Sequence, residues 1–367
     1  MTGMRIRLGF SFALVLATGL AAQAPKPAAP KPAAPAHPDL SGTYDVSTMT
    51  PVERLPGVKS LTFTKEEADA AEKYEANRQK QNDAALDPNR GAPPVGGERM
   101  ARGASYQEQI ENFAGGPVGG YNHFWLDEGR NYATIDGQKR SSIIIDPPDG
   151  HAPPMKPEAV KRNAELAKRQ VAPGAAEGDT SGPPGAFDDP EQRPLAERCL
   201  LGFSSTSGPP ALPNYFYNNL HQIVQTRDSI MILTEMVHDA RVVRMNTTQH
   251  LPKTIRKWMG DSIGHWEGDT LVIDTTNFTT KTQFRGASED MHVVERITRM
   301  PDGNLRYRFT VDDPSTWDRP WTGEYPWVKS SDKIYEYACH EGNHSLTNMM
   351  HGARVAEEEA AKAKTKK

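Results

Sequence analysis

Leu305-Arg306-Tyr307-Arg308-Phe309-Thr310-Val311 sets an apolar or aromatic side chain at every second position and a polar one between them. Successive side chains of a β-strand point to opposite faces, so the heptapeptide reads as a strand with one buried and one wet face. Pro301-Asp302-Gly303-Asn304 stands before it and carries tight-turn chemistry, as does Glu267-Gly268-Asp269 further upstream. Working outward, β-branched or aromatic runs recur at 221–226, 229–238, 241–245, 270–276, 292–299, 305–311, 322–328 and 334–339. About eight strands joined mostly by short turns predict a mainly β, antiparallel meander, and closure into a barrel would remove its open edges. Within this region only 254–259 reads as helical.

The half before this β domain is different in kind. A short strand signal at 42–46 precedes Thr64-Lys65-Glu66-Glu67, a capping box that predicts a helix running to about residue 81 with Ala68, Ala71 and Tyr74 on its apolar side. Segments 86–120 and 171–194 are rich in Gly and Pro and read as loops. Strand-like pieces at 121–126 and 141–145 and a helical segment at 157–169 lie between them. The expected organisation is a loop-rich extension over 39–195 wrapping the core, an antiparallel β domain over 196–354 and a charged tail over 355–367.

The first residues predict export. Arg5 and Arg7 precede an uncharged apolar run over 8–20 and the small-residue stretch Ala21-Ala22-Gln23-Ala24, the three parts of a signal peptide, with cleavage expected after residue 22. The run is shorter than the roughly 20 residues of a spanning helix, and no Cys follows it to accept a lipid, so no membrane anchor is expected after cleavage. Residues 23–38 alternate Pro, Ala and Lys and form an extended linker. The expected location is periplasmic or extracellular. The net charge of −4 becomes −6 once Arg5 and Arg7 are lost, a balance that argues against a nucleic-acid partner. Cys199 and Cys339 are the two cysteines of an exported chain, which predicts a disulfide over two free thiols or a catalytic Cys.

Asp39-Leu40-Ser41-Gly42, Ile144-Ile145-Asp146-Pro147-Pro148-Asp149-Gly150, His238-Asp239-Ala240-Arg241, Trp258-Met259-Gly260-Asp261-Ser262, His265-Trp266-Glu267-Gly268-Asp269-Thr270-Leu271-Val272 and Tyr335-Glu336-Tyr337-Ala338-Cys339-His340-Glu341-Gly342-Asn343 resemble a family of secreted bacterial proteins of unknown function. The resemblance covers most of 39–354 and implies export and a shared fold, with no activity to transfer. The predicted barrel is also similar in architecture to lipocalin-type barrels, an analogy that carries no function.

Three groups could bear chemistry. His340-Glu341-Gly342-Asn343-His344 matches H-E-x-x-H, whose zinc chemistry needs one continuous helix, with His351 or Glu357 as the nearby third ligands. Gly342 weakens such a helix by about 1 kcal/mol relative to Ala, and the string follows a strand signal, so no metal or other cofactor is expected. Gly260-Asp261-Ser262 opens like a Ser-esterase string but lacks the matching late Asp-x-x-His, and reads as a polar turn. His238, Asp239 and Arg241, with Asp261, His340 and Glu341, fall at predicted strand ends, where they could meet at one barrel mouth as an acid–base set with an Arg for an anion, or simply form rim ion pairs. Six strand steps from 229–238 to 334–339 predict that His238 and His340 share a mouth. Trp317 and Trp321, in a Pro-rich irregular stretch, could stack a flat ligand or pack a loop. The composite reading is a small-molecule binding protein, with a His/Asp/Glu hydrolase or lyase as the alternative.

Overall fold

In the barrel, each residue of the opening heptapeptide finds the face its parity assigns. Leu305, Tyr307, Phe309 and Val311 are fully buried, whereas Arg306, Arg308 and Thr310 face outward. The computed structural model describes residues 37–82, 127, 129–167, 187–203, 206–214, 217–282 and 284–365. The predicted signal peptide, nearly all of the linker, the loop at 86–120 and the strand at 121–126 lie outside the described residues.

In chain order the elements are β1 (Gly42–Asp45), α1 (Lys65–Asn82), β2 (Thr134–Ile135), β3 (Gln138–Lys139), β4 (Ile144–Asp146), α2 (Pro157–Ala167), β5 (Leu220–Gln225), β6 (Ser229–Thr234), β7 (Ala240–Arg244), β8 (Asp261–Glu267), β9 (Thr270–Thr276), β10 (His292–Arg299), β11 (Leu305–Asp312), β12 (Trp321–Ser330), α3 (Cys339–Gly342) and α4 (His344–Thr365). Nine strands close a barrel in the order β1-β5-β6-β7-β8-β9-β10-β11-β12, because β1 pairs with β5 along one edge and β12 along the other. β4 adds to β12 beyond the ring. The ladder is antiparallel except where β7 and β8 run parallel through Val243↔Ser262 and Arg244↔Ile263. The connection 245–260 must recross the barrel to make that pair. It does so in turns, where a helix was expected at 254–259.

Two strand assignments change. Residues 334–338 join no ladder and lead into α3, which begins at Cys339. β8 lies where a polar turn was expected, since Asp-Ser-Ile-Gly-His-Trp-Glu lacks a clean apolar period. The segment 39–195 also supplies β1, a stave of the barrel wall.

The core is the barrel interior. Tyr44, Tyr307, Phe309, Trp321, Tyr325 and Trp327 are all fully buried there, and Tyr307 packs against Trp327 with ring centroids 4.8 Å apart. Gly323 lies opposite Phe309 in register, and a Cβ at that position would fall 2.3 Å from the ring, so the strand dispenses with a side chain to admit it. Outside, Thr64 and Glu67 cap α1 reciprocally at 3.2 and 2.8 Å. Tyr74 on α1 is exposed. Cys199 and Cys339 form a disulfide with Cα atoms 5.7 Å apart, tying the 187–203 segment to α3. No helix among the described residues is long and apolar enough to cross a membrane.

Candidate functional site

Strand parity divides the predicted cluster. Arg241 points into the barrel, where its guanidinium grips Glu295 through Nη1 at 2.5 Å and Nη2 at 2.8 Å, both side chains being buried. Tyr307 donates to the same carboxylate at 2.7 Å. Asp261 is one face away, on the outer wall, where it accepts from Arg244 at 2.7 Å, Leu251 N–H at 3.0 Å, and Lys257 and His250 at 3.2 Å each. Burial pushes the Asp261 carboxyl up, but these donors and cations outweigh it and hold the group below its ordinary range. Ser262, next to it, turns inward to Thr275 at 2.9 Å and presents no exposed nucleophile.

His238 and Asp239 sit in the turn between β6 and β7. His238 Nδ1 lies 3.1 Å from the Tyr337 carbonyl, and Tyr335 N–H donates to Glu235 at 3.3 Å, so the 335–337 segment is laid along this turn three residues before His340. Burial pushes Asp239 up to about 6, against opposing effects from Ser207, Gly202 and His238. His340 and Glu341 are exposed on α3. The H-E-x-x-H string is not one helix: α3 ends at Gly342, and the non-helical Asn343 after it donates its side chain to Glu197 O at 2.7 Å and accepts from Leu346 N–H at 3.2 Å at the start of α4. The two His therefore stand on different helices. Among the described residues no three His, Cys, Asp or Glu side chains are grouped to hold a metal ion. Trp317 and Trp321 are buried edge to face at 5.8 Å in the core. Neither offers a face to solvent.

Two clusters escaped the sequence reading. On the outer wall, His250 bridges Asp261 and Asp274, and His292 reaches the other oxygen of Asp274 at 2.9 Å. The Asp274 hydrogen bond holds His292 above its ordinary range. Every acidic oxygen in this chain is engaged, and its effect is to pin the recrossing loop 245–260 onto β8, β9 and β10. The second cluster lines a groove of about 940 Å³ beside β12, with Asp45, Asp127 and Asp332 among its walls and Tyr132, Met300 and Pro326 as apolar patches. Burial raises Asp45, Ser47 opposes it, and the charges of Asp127 and Asp332 raise it further. Burial raises Asp127 as well, opposed by Asn219, Gly129 and Arg130. Arg130 also lines the groove, yet among the described residues no Lys or Arg forms an ion pair with Asp45, Asp127 or Asp332; Asp45 and Asp332 accept from Ser47 and Ser330. These aspartates are remote in sequence and share no motif, so only folding assembles them.

A closed mixed β-barrel with an acidic groove on its wall is the class that fold and site define. Compared with family models and with curated proteins, the chain matches none.

Proposed function

We propose that the protein is an exported binding protein whose groove takes a small organic cation. The observation that carries this reading is the gathering of Asp45, Asp127 and Asp332 on one groove, where the charges of Asp127 and Asp332 bear on Asp45 and, among the described residues, Arg130 is the one cation in the lining, outside ion-pair distance of all three. A bound ammonium group would relieve that repulsion. The groove volume lies within the span of about 300 to 1,000 Å³ common to small-molecule sites. Its carboxylates are spread along the walls and interleaved with Tyr132, Met300 and Pro326, which suits an amine with a carbon chain better than a bare metal ion.

The test is calorimetric titration of the folded protein with putrescine and spermidine, with succinate and calcium as controls. Saturable binding of the amines alone, reduced at least tenfold by Asp45→Asn, is the expected result. Because burial raises Asp45 above its ordinary range, amine binding should weaken as pH falls toward the carboxylate range, earlier than for an exposed carboxylate. No saturable binding of any amine at pH 7.5 would end the reading.

A further inference from the structure

The barrel interior is not lined only by its own staves. Residues 206–214 enter it as a loop without regular secondary structure, and Ala211 and Leu212 at its tip are buried in the core. Both backbone polar atoms of Ala211 are read by strand tyrosines: Ala211 N–H donates to Tyr307 Oη at 2.9 Å, and Tyr325 Oη donates to Ala211 O at 3.0 Å. The Tyr307 hydroxyl in turn donates a hydrogen bond to Glu295, which holds Arg241. Trp327 completes the array by donating to Tyr325 at 3.1 Å.

The loop is closed on itself. Leu212 N–H donates to Thr206 O at 3.1 Å, and the Thr206 hydroxyl bonds the Asn214 side chain, so the chain enters and leaves by one mouth. Withdrawing it breaks no strand pairing in the barrel. The interior also offers more than the loop uses, since His221 is fully buried within the same wall and its Nε2 has no hydrogen-bond partner.

We propose that the barrel interior is a peptide-binding site, occupied in cis by residues 206–214, which Tyr307 and Tyr325 hold through the backbone N–H and C=O of one residue, Ala211. The ligand it takes is a peptide turned into a similar closed loop, with a small apolar residue at the Ala211 place whose N–H and C=O are read by the two hydroxyls. This site is separate from the groove and does not rest on what the groove binds.

Gly208 supplies the handle for a test. Its backbone has φ +95°, and an added Cβ would meet the loop's own Ala211 N at 2.9 Å, so Gly208→Val strains the loop. Leu212→Ser weakens the buried tip as a second route. The probe is a fluorescein-labelled peptide Thr-Ser-Gly-Pro-Pro-Ala-Leu-Pro-Asn, copied from 206–214, followed by anisotropy, with hydrogen exchange reporting the loop and β10 to β12 separately. The expected result is protected strands, an exchanging loop and peptide binding at least tenfold tighter than to the unaltered protein in at least one variant, with Tyr325→Phe added to that variant reversing the gain. Four outcomes would overturn the proposal: a released loop with an intact barrel that binds no peptide, binding indifferent to Tyr325→Phe, a loop that stays protected in both variants, or loss of the barrel itself in both, which would make 206–214 an obligatory part of the core.

Discussion

Glu295 is a carboxylate in a barrel core, and its cost is met by a bidentate guanidinium and a phenol. Removing one partner of such a pair leaves the other charged and buried, typically a loss of about 3 to 5 kcal/mol, whereas replacing both by apolar residues is often near neutral. Urea denaturation should therefore show Glu295→Leu strongly destabilised and the double variant Arg241→Met with Glu295→Leu largely recovered. A second residue-scale expectation concerns acid. Burial holds His221 down to about 4 from 6.5, with the Asn219 carbonyl opposing and Arg241 assisting. Between those values the unfolded chain takes up a proton that the folded chain refuses, so stability falls as pH drops from 6.5 toward 4. Asp239, raised to about 6, works in the opposite direction over its own window, gaining stability as pH drops toward 3.8. The comparison that isolates His221 is the protein against His221→Gln, whose stability difference should shift by about 2 kcal/mol against the unaltered protein between pH 7 and pH 5. A shift of zero would mean that the imidazole is protonated in place.

Among the elements, the recrossing loop 245–260 is tied to the barrel by backbone bonds such as those at Lys257 and by side chains, and its flanking strands share two parallel residue pairs. Asp261 gathers Arg244, Lys257, His250 and the Leu251 amide at that joint. Asp261→Ala should cost about 3 kcal/mol, in the range of a broken buried charge network, and the loop amides should exchange faster than those of β10 and β11. Unchanged loop protection would assign the joint to backbone packing. The same element shows where sequence reading stops. β11 was legible because its alternation is unbroken, and α1 because Thr64 and Glu67 form a local box. β8 was not, since the inward Ser262 and Gly264 carry no apolar side chain and Ile263 falls on the outer face, and its strand state is imposed by β9 along its whole length.

At the scale of the molecule, the disulfide joins residues 140 apart and so closes most of the β domain. Chain-entropy reasoning puts such a closure at about 5 kcal/mol through the unfolded state. Alkylation of the denatured, unreduced protein should leave Cys199 and Cys339 unlabelled, and reduction should lower the urea midpoint without altering the far-ultraviolet spectrum of the native state. A barrel that already collapses on reduction in buffer would show that the covalent link holds the native state itself together.

The sequence by itself determined the strands with clean alternation, the capped helix, the turns and the residues able to pair as a disulfide, because each depends on neighbours a few positions away or on cysteine parity. Tertiary structure alone decided closure through β1, the parallel joint, and the gathering of Asp45, Asp127 and Asp332 on one groove. It also separated Arg241 from Asp261, which lie twenty residues apart and both near strand ends, by placing one inside the barrel wall and one outside. Glu295 could have been assigned inward from the parity of Val293 and Ile297, but not its partner. Which face a charged side chain takes follows from register, and register across a closed sheet is set by pairings between strands far apart in the chain.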